Sequence, residues 1–314
     1  KSYSMRVCSK TLVVKFKVGN ILESNLEVKK MLYQDSLGRK VFNVLNITLC
    51  VLVCIAVLFP LWMAVMTSLA PDKQVIYKEF VVWPESFSLS TYKLVFKSGY
   101  MQGFINSVST TIIGTIASMV LTLFAGYALA QKDLVFRGFF MNFIFITMVF
   151  ANGIIPFYIV VQKMHLIDKY AAIVVPVLIQ TYNLILMKNY MVSIPESLIE
   201  SARLDGCSEI GILFRIVIPV SIPIIAAITL FYAVHYWNQY LNVVMFINDG
   251  TKYTVQVLLR QLVFENASVQ TGQNRVYSNF KMTVMVVAML PVIIMYPFIQ
   301  RYFISGIMLG SIKG

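Results

Sequence analysis

Apolar stretches long enough to cross a lipid bilayer recur along this sequence, and they constrain its fold more than any other feature. A membrane-spanning helix needs about 20 consecutive apolar residues. Of the 314 residues, 58% are hydrophobic and only 13% are charged, which is too little polar surface for a soluble protein of this length. We therefore predict an all-α membrane protein whose six transmembrane helices lie at about residues 41–66, 104–130, 138–161, 170–187, 220–247 and 282–302.

The distribution of basic residues predicts the orientation of the chain. Residues 1–40 carry nine Lys or Arg against three acids, and no signal-peptide core follows their start. Positively charged segments stay on the cytoplasmic side of a membrane. We expect a multi-pass protein of the cell membrane with both termini in the cytoplasm. Residues 1–40 form its cytoplasmic N-terminal segment, 41–304 its transmembrane domain and 305–314 its cytoplasmic tail.

Several kinds of site are not predicted by the sequence. A net charge of +12 favours contact with anionic lipid here, because no Lys/Arg block interleaved with aromatic residues suggests a nucleic-acid partner. The four cysteines fall in predicted membrane or cytoplasmic segments, and neither histidine has neighbours at metal-ligand spacing. No Walker-type phosphate loop occurs, so we expect no cofactor on this chain and a separate motor for any driven transport.

A charged, amphipathic stretch at residues 193–219 interrupts the apolar runs. We predict two short helices joined at Gly206, because glycine tolerates the left-handed conformation of a sharp helix end. Ser193 is expected to cap the first helix with Glu196 as its capping-box partner. The charged face of that helix comprises Glu196, Glu200 and Arg203, and the opposite face comprises Leu198 and Ala202. Such a protruding hairpin is suited to binding a soluble partner.

The same stretch resembles the cytoplasmic EAA loop of ATP-binding-cassette importer permeases, written E-A-A-x3-G-x9-I-x-L-P. The matching residues are Glu200, Ser201, Ala202, Gly206, Ile216, Ile218 and Pro219. The chain departs from the motif at Ser201, in place of Ala, and at Ile218, in place of Leu. Tyr296-Pro297-Phe298 and the tail from Gly306 to Gly314 resemble carbohydrate importers of the MalG type, and within them the LplC/YtcP-like branch.

This resemblance implies a type I importer permease fold, with residues 193–219 as a coupling loop, and an oligosaccharide as substrate. It also implies four kinds of partner: a second homologous permease subunit, two ATPase subunits that bind ATP and Mg, an extracellular solute-binding protein, and membrane lipid. The implied ATPase-coupling residues are Glu196, Glu200, Ala202, Arg203, Asp205 and Gly206 in the loop, with Gly310 and Lys313 in the tail.

Polar residues within the fourth and fifth predicted spans are candidates for a substrate pathway. They are Gln180, Asn183, Tyr232, Trp237, Asn238 and Asn242. Amides and aromatic rings are suited to sugars, since they bind hydroxyls and pack against pyranose faces. The same groups also join helices inside a membrane by hydrogen bonds. From the sequence, both interpretations remain open.

Three other functions were weighed against sugar import. A permease for amino acids or another small solute fits the loop but not the sugar-like tail. A membrane-embedded enzyme acting on lipid-linked sugar would need paired acids or histidines near the interface, whereas the acids here are concentrated in the hairpin. An ion channel would need a carbonyl filter motif or an Arg-rich sensor helix, and neither occurs.

Overall fold

The computed structural model describes residues 37–77, 81–150, 153–268 and 278–310, and the regular structure of these residues is helical. The helices are α1 (Leu37–Ser68), α2 (Asp72–Tyr77), α3 (Ser90–Lys97), α4 (Gly99–Ala130), α5 (Arg137–Val149), α6 (Ile154–Lys163), α7 (Ala171–Val174), α8 (Thr181–Val192), α9 (Glu196–Leu204), α10 (Glu209–Ile212), α11 (Ile218–Val220), α12 (Ile222–Trp237), α13 (Leu241–Phe246), α14 (Val255–Ser268) and α15 (Ser278–Gly310). The chain divides into two units, Lys1–Leu61 and Trp62–Gly314, and the candidate site lies in the second.

Two of the described helices, α1 and α4, are each long and apolar enough to cross a membrane. Two bent pairs add up to two more crossings if each pair is one span: Ala171–Val177 with Thr181–Val192, bent by 45°, and Glu209–Val220 with Ile222–Trp237, bent by 83°. Shorter apolar helices include α5 and α6. The third predicted span, 138–161, is interrupted between these two helices, where Gly153 has an extended conformation; Asn152 is outside the described residues.

Single helices over 170–187 and 220–247 were wrong predictions. The first segment changes at Pro176 to a tighter turn, Val175–Val177, and becomes extended at Gln180 before α8 begins. The second ends at Trp237, and α13 begins only at Leu241. Residues 248–281, which connect the fifth and sixth predicted spans, contain α14 and the start of α15. Proline explains the first interruption, because its ring removes a backbone donor and clashes with the preceding turn.

Helix α4 presents a buried face of small and hydroxyl-bearing residues to α8 and α12. The buried polar or small residues of this face are Ser107, Thr110, Thr111, Gly114, Thr115, Ser118 and Thr122. Ser118 and Tyr236 share a hydrogen bond of 2.8 Å, and Thr122 and Tyr232 share one of 2.6 Å. Small residues let membrane helices approach closely, and their hydroxyls form hydrogen bonds between helices, as these two do.

The interrupted backbone near Gln180 is satisfied by side chains of the fifth predicted span. The Gln180 N–H donates to the Tyr232 hydroxyl at 3.2 Å. Gln239 donates to the Ile173 carbonyl at 3.0 Å, and the Tyr236 hydroxyl lies 3.4 Å from the Val174 carbonyl. Irregular backbone at membrane depth persists only where such partners replace the missing helical bonds. The polar residues of the fifth predicted span therefore form hydrogen bonds with backbone groups at the interruption of the fourth predicted span.

Candidate functional site

The first helix of the charged stretch, α9, ends in a left-handed turn at Gly206, whose φ is +79°. The Gly206 N–H donates to the Arg203 carbonyl, and the Cys207 N–H donates to the Ala202 carbonyl, both at 3.0 Å. This pair of bonds satisfies carbonyls that a helix end would otherwise leave unpaired. A Cβ added to Gly206 would meet no atom within 4 Å. The need for glycine therefore comes from backbone conformation, as predicted, and not from crowding.

The predicted cap at the start of α9 is wrong. Ser193 has a helical conformation at the end of α8, and its hydroxyl donates to the Tyr190 carbonyl at 2.7 Å. A capping residue needs an extended backbone, which Ser193 does not have. Pro195 takes the position before α9 and makes no side-chain cap. Serine does cap the second helix, since the Ser208 hydroxyl accepts the Gly211 N–H at 3.2 Å.

The two short helices are held to each other and to the end of α4. Arg203 Nε donates to Glu209 Oε1 at 2.8 Å, and Tyr127 donates its hydroxyl to Glu209 Oε2 at 2.8 Å. Arg203 also donates to the Gln131 amide oxygen at 3.2 Å. The hydrogen bond to Glu209 raises the pKa of Arg203, so this bridge is charged at neutral pH. The hairpin is thus fixed to the helix that carries the packed face of the bundle.

The predicted coupling residues divide into internally bonded and free groups. Glu196 pairs with Lys132, which raises the pKa of that lysine, and Arg203 belongs to the bridge described above. Ala202 is buried beneath the hairpin. Glu200 and Asp205 are exposed and make no ion pair or hydrogen bond through their side chains to another described residue. Two carboxylates therefore remain on the hairpin surface for an external partner.

Sequence reasoning missed four residues that anchor the hairpin: Tyr127, Gln131, Lys132 and Glu209. Glu209 belongs to the charged stretch, but it lies beyond the helix whose charged face was considered. The other three are far in sequence from their partners: Tyr127 lies 82 positions before Glu209, Gln131 lies 72 before Arg203, and Lys132 lies 64 before Glu196. Opposite charges at Lys132 and Glu196 were a visible signal, although sequence spacing alone could not pair them.

Of the predicted pathway residues, only Asn238 is exposed; Gln180 and Asn242 are half-buried. Tyr232 is fully buried, with its hydroxyl bonded to Thr122 and to the Gln180 backbone. Asn183 is buried and donates to the Gln180 side chain at 3.1 Å. Trp237 is also buried and packs edge-to-face on Phe104 at 5.8 Å. Cross-helix bonding thus accounts for Tyr232, whereas Asn238 is exposed and its amide donates to the Val234 carbonyl at 3.0 Å.

Tyr232→Phe is expected to lower the free energy of unfolding by about 1–2 kcal/mol, because it removes the partner of Thr122 and leaves the Gln180 N–H unpaired. Thermal unfolding in detergent would measure this. Tyr182→Phe is the matched control, since Tyr182 is exposed and its hydroxyl makes no bond to the described residues. A Tyr232→Phe protein as stable as wild type would contradict the cross-helix role.

Asp168 joins the loop that follows α6 to the loop that follows α13. Its carboxylate accepts the N–H groups of Asn248 at 3.1 Å and Asp249 at 3.0 Å, and pairs with Lys252 at 2.9 Å. The φ of Asp168 is +62°, a conformation that Asp tolerates better than most residues. The hydrogen bond from Lys252, followed by the Asp249 N–H, lowers the pKa of Asp168. The same pair raises the pKa of Lys252.

Acid is expected to release this loop only at low pH. Because the pKa of Asp168 is lowered in the folded protein, its contacts with residues 248–252 contribute their full stability above the ordinary aspartate pKa. That contribution is lost as the pH falls through the lowered value. A spin label on Gly250→Cys would report it, because a Cβ there meets no atom within 4 Å. With the native cysteines replaced by serine, label mobility should stay constant from pH 8 to 5 and rise below about 4.

Asp168→Asn is the matched control for the pH experiment. Asparagine keeps the left-handed conformation and the backbone bonds but not the charge paired with Lys252. Its label should be more mobile at pH 7, with a smaller acid response that comes from Asp249, whose pKa is also lowered, chiefly by its hydrogen bond from Thr251. Equal acid responses in both proteins would show that Asp168 does not hold the loop.

Among the described residues, no group of three or more His, Cys, Asp or Glu is placed to hold a metal ion. Lys313 lies outside the described residues, and Gly310 is the last residue of α15. The described chemistry of the site is therefore that of an exposed acidic hairpin fixed to α4, together with an interrupted helix near Asn238.

Comparison with known proteins gives consistent matches over most of the chain. Residues 119–308 match the family model described as binding-protein-dependent transport system inner membrane component. The polygalacturonan/rhamnogalacturonan transport system permease protein YtcP of Bacillus subtilis is 41% identical, over 84% of this chain and 94% of that protein. The protein LplC of the same organism is 36% identical, over 88% of this chain and 96% of its own.

A solved structure matches in fold as well. It is a bacterial ABC transporter involved in the import of the acidic polysaccharide alginate, and one of its chains superposes with a TM-score of 0.78. The match has 26% sequence identity and covers 85% of this chain and 98% of that one. The helical arrangement described above is therefore that of an ABC importer permease.

Proposed function

This chain belongs to the family of binding-protein-dependent transport system inner membrane components, and we propose that it is the membrane subunit of an ATP-driven importer for oligosaccharides. Members of this family are transport subunits and not enzymes, and they work with a binding protein and an ATPase. The relatives and the solved structure concern polygalacturonan, rhamnogalacturonan and alginate, all of them polysaccharides. Their sugar specificity supports an oligosaccharide in preference to an amino acid or another small solute.

The finer arrangement that we propose has six membrane spans, with both termini and residues 193–219 in the cytoplasm. A second homologous permease completes the pathway, and two ATPase subunits carry ATP and Mg. An extracellular solute-binding protein delivers the sugar to the loops joined by Asp168. Gly310 and Lys313 would contact the ATPase from the tail. The six predicted apolar segments and the basic N-terminal residues support this topology.

The observation that carries the coupling proposal is the exposed, unpaired Glu200 on a rigid hairpin. Glu196 and Arg203 have partners within the chain, so they stiffen the hairpin, whereas Glu200 remains available for a cation of the ATPase. Because Tyr127 and Arg203 tie the hairpin to α4, a displacement imposed on Glu200 is transmitted to the helix at the centre of the packing. Closure of the motor would thereby tilt membrane helices.

Glu200→Ala is expected to weaken retention of the ATPase by about tenfold, since a hydrogen bond between charged groups is lost. Wild type and variant would be co-expressed with the second permease and the ATPase, and the complex purified from detergent. Glu85→Ala is the control, because Glu85 is another exposed acid and lies in the predicted extracellular loop. Equal ATPase retention by Glu200→Ala and wild type would contradict the assigned contact, and no retention by wild type would contradict the importer assignment.

A further inference from the structure

An exposed arginine on α14, Arg260, lies against two aromatic rings and has no acidic partner among the described residues. Its guanidinium carbon is 4.2 Å from the ring centroid of Tyr240 and 5.4 Å from that of Phe264. The ion pairs among the described residues are made by Lys132, Arg203 and Lys252. Arg260 donates no side-chain hydrogen bond to a described residue. Within the described part of the chain, the contacts of this positive charge are therefore with aromatic rings.

Stacking of this kind leaves the edge of a guanidinium free for an anion. Arginine offers five N–H donors in one plane, and two parallel bonds from that plane match the two oxygens of a carboxylate. The Tyr240 ring restricts the orientation of the guanidinium plane, so less conformational entropy is lost when a ligand binds to Arg260. The arrangement favours a planar oxyanion, and a carboxylate accepts such a pair of bonds well.

Through its contact with Tyr240, the arginine lies next to the interruption of the fifth predicted span. Tyr240 lies in the break between α12 and α13, with exposed Asn238 two residues before it and half-buried Asn242 two residues after it. The remaining face of α14 is occupied, since Leu259 and Leu262 pack in apolar clusters with α15. Two amide side chains thus lie within two residues, along the chain, of the ring that stacks on the cation, and amides of this kind bind sugar hydroxyls.

We propose that Arg260, positioned by Tyr240, binds the carboxylate of a uronic-acid unit in the transported oligosaccharide and so makes this permease selective for acidic over neutral sugars. The proposal rests on the proposed function. It assigns a specificity-determining role to a residue on the predicted extracellular side of the fifth span. Neutral sugars would still bind through the amides and the ring, but without the charged contact.

The test compares two trisaccharides that differ only at the carboxyl carbon: trigalacturonate and α-1,4-galactotriose, in which each carboxylate is replaced by a hydroxymethyl group. Uptake would be measured in proteoliposomes that contain the complete transporter, with its binding protein outside. Wild type is expected to prefer trigalacturonate. Arg260→Gln should lower trigalacturonate uptake about tenfold and change galactotriose uptake less than twofold. Arg260→Lys keeps the charge but not the planar arrangement of donors. Its trigalacturonate uptake should lie between those of wild type and Arg260→Gln.

Tyr240→Leu separates positioning from folding, because it removes the stacking surface and leaves the arginine. It should reduce the preference for trigalacturonate while the complex still assembles and imports galactotriose. A smaller preference in both Arg260→Gln and Tyr240→Leu would support the proposal. Equal losses for the two sugars would overturn it in favour of a structural or lipid-binding arginine, and unchanged uptake in Arg260→Gln would also overturn it.

ATPase retention distinguishes failure of this proposal from failure of the proposed function. A wild-type complex that retains its ATPase but shows no preference for trigalacturonate, or imports neither trisaccharide, would overturn the role of Arg260 alone. A wild-type chain that retains no ATPase would overturn the importer function and this proposal with it. Retention is measured without any sugar, so the two outcomes cannot be confused.

Discussion

Gly206→Leu is expected to reduce sugar uptake by tenfold or more while the protein still inserts into the membrane. The φ of +79° at Gly206 costs a residue with a Cβ about 1–2 kcal/mol, and the helix end can relax by giving up the bonds to Ala202 and Arg203. Relaxation would displace Glu200 relative to α4. Uptake and ATPase activity, measured together in proteoliposomes, should show hydrolysis that no longer responds to the loaded binding protein.

Gly206→Asn is the matched control, since asparagine visits the left-handed conformation more readily than leucine. The space around position 206 is open, so side-chain size by itself should not matter. We expect Gly206→Asn to keep at least half of wild-type uptake, and Gly206→Ala to fall between Asn and Leu. Normal uptake by Gly206→Leu would show that coupling does not need this turn.

Gly114→Ala is expected to lower the stability of the helical bundle strongly for the addition of one methyl group. The new Cβ would lie 2.7–2.8 Å from three atoms of the Tyr236 ring. That ring cannot move away easily, because it is buried and its hydroxyl bonds to Ser118. Overpacking of this kind costs about 1–3 kcal/mol. Thermal unfolding in detergent should show a lower midpoint and a smaller yield of folded protein.

Two comparisons identify the clash as the cause. At Gly126 an added Cβ lies 2.8 Å from Met187 Cγ, which belongs to a flexible side chain, so Gly126→Ala should cost less. Gly99→Ala, where nothing lies within 4 Å, should be neutral or slightly stabilising. Adding Tyr236→Leu to Gly114→Ala should recover part of the loss. If Gly114→Ala is no less stable than Gly99→Ala, the two helices are not packed as closely as described.

The helical class, the hairpin and its glycine turn could be predicted because each depends on residues close together in the chain. Apolar length predicts spans, and Gly206 follows the last residues of α9 directly. The anchoring of the hairpin could not be predicted in this way. Arg203 reaches Gln131 across 72 positions and Tyr127 reaches Glu209 across 82, so those bonds depend on how α4 packs.

The polar residues of the fifth span illustrate the same limit. Helical spacing shows that Tyr232, Tyr236 and Gln239 lie near one another on the helix, but not what they face. Their partners are the Gln180 N–H and the carbonyls of Val174 and Ile173, which are free because a different helix is interrupted. Pro176 was a visible signal of that interruption. The cross-helix bonds of Tyr232 therefore could not be predicted from the spacing of residues on its own helix.

The bonds that satisfy the interrupted backbone also limit how this permease can move. Sliding α12 past residues 173–180 would leave a backbone N–H and two carbonyls without partners in a nonpolar medium, at a cost of several kcal/mol for each group. We therefore expect these two segments to move together during a transport cycle. Helix α5 buries none of its side chains in the described structure. We thus expect the hinges of the transport cycle at weakly packed helices such as α5. The hydrogen bonds between residues 173–180 and α12 are expected to stay the same in the outward-open and inward-open states.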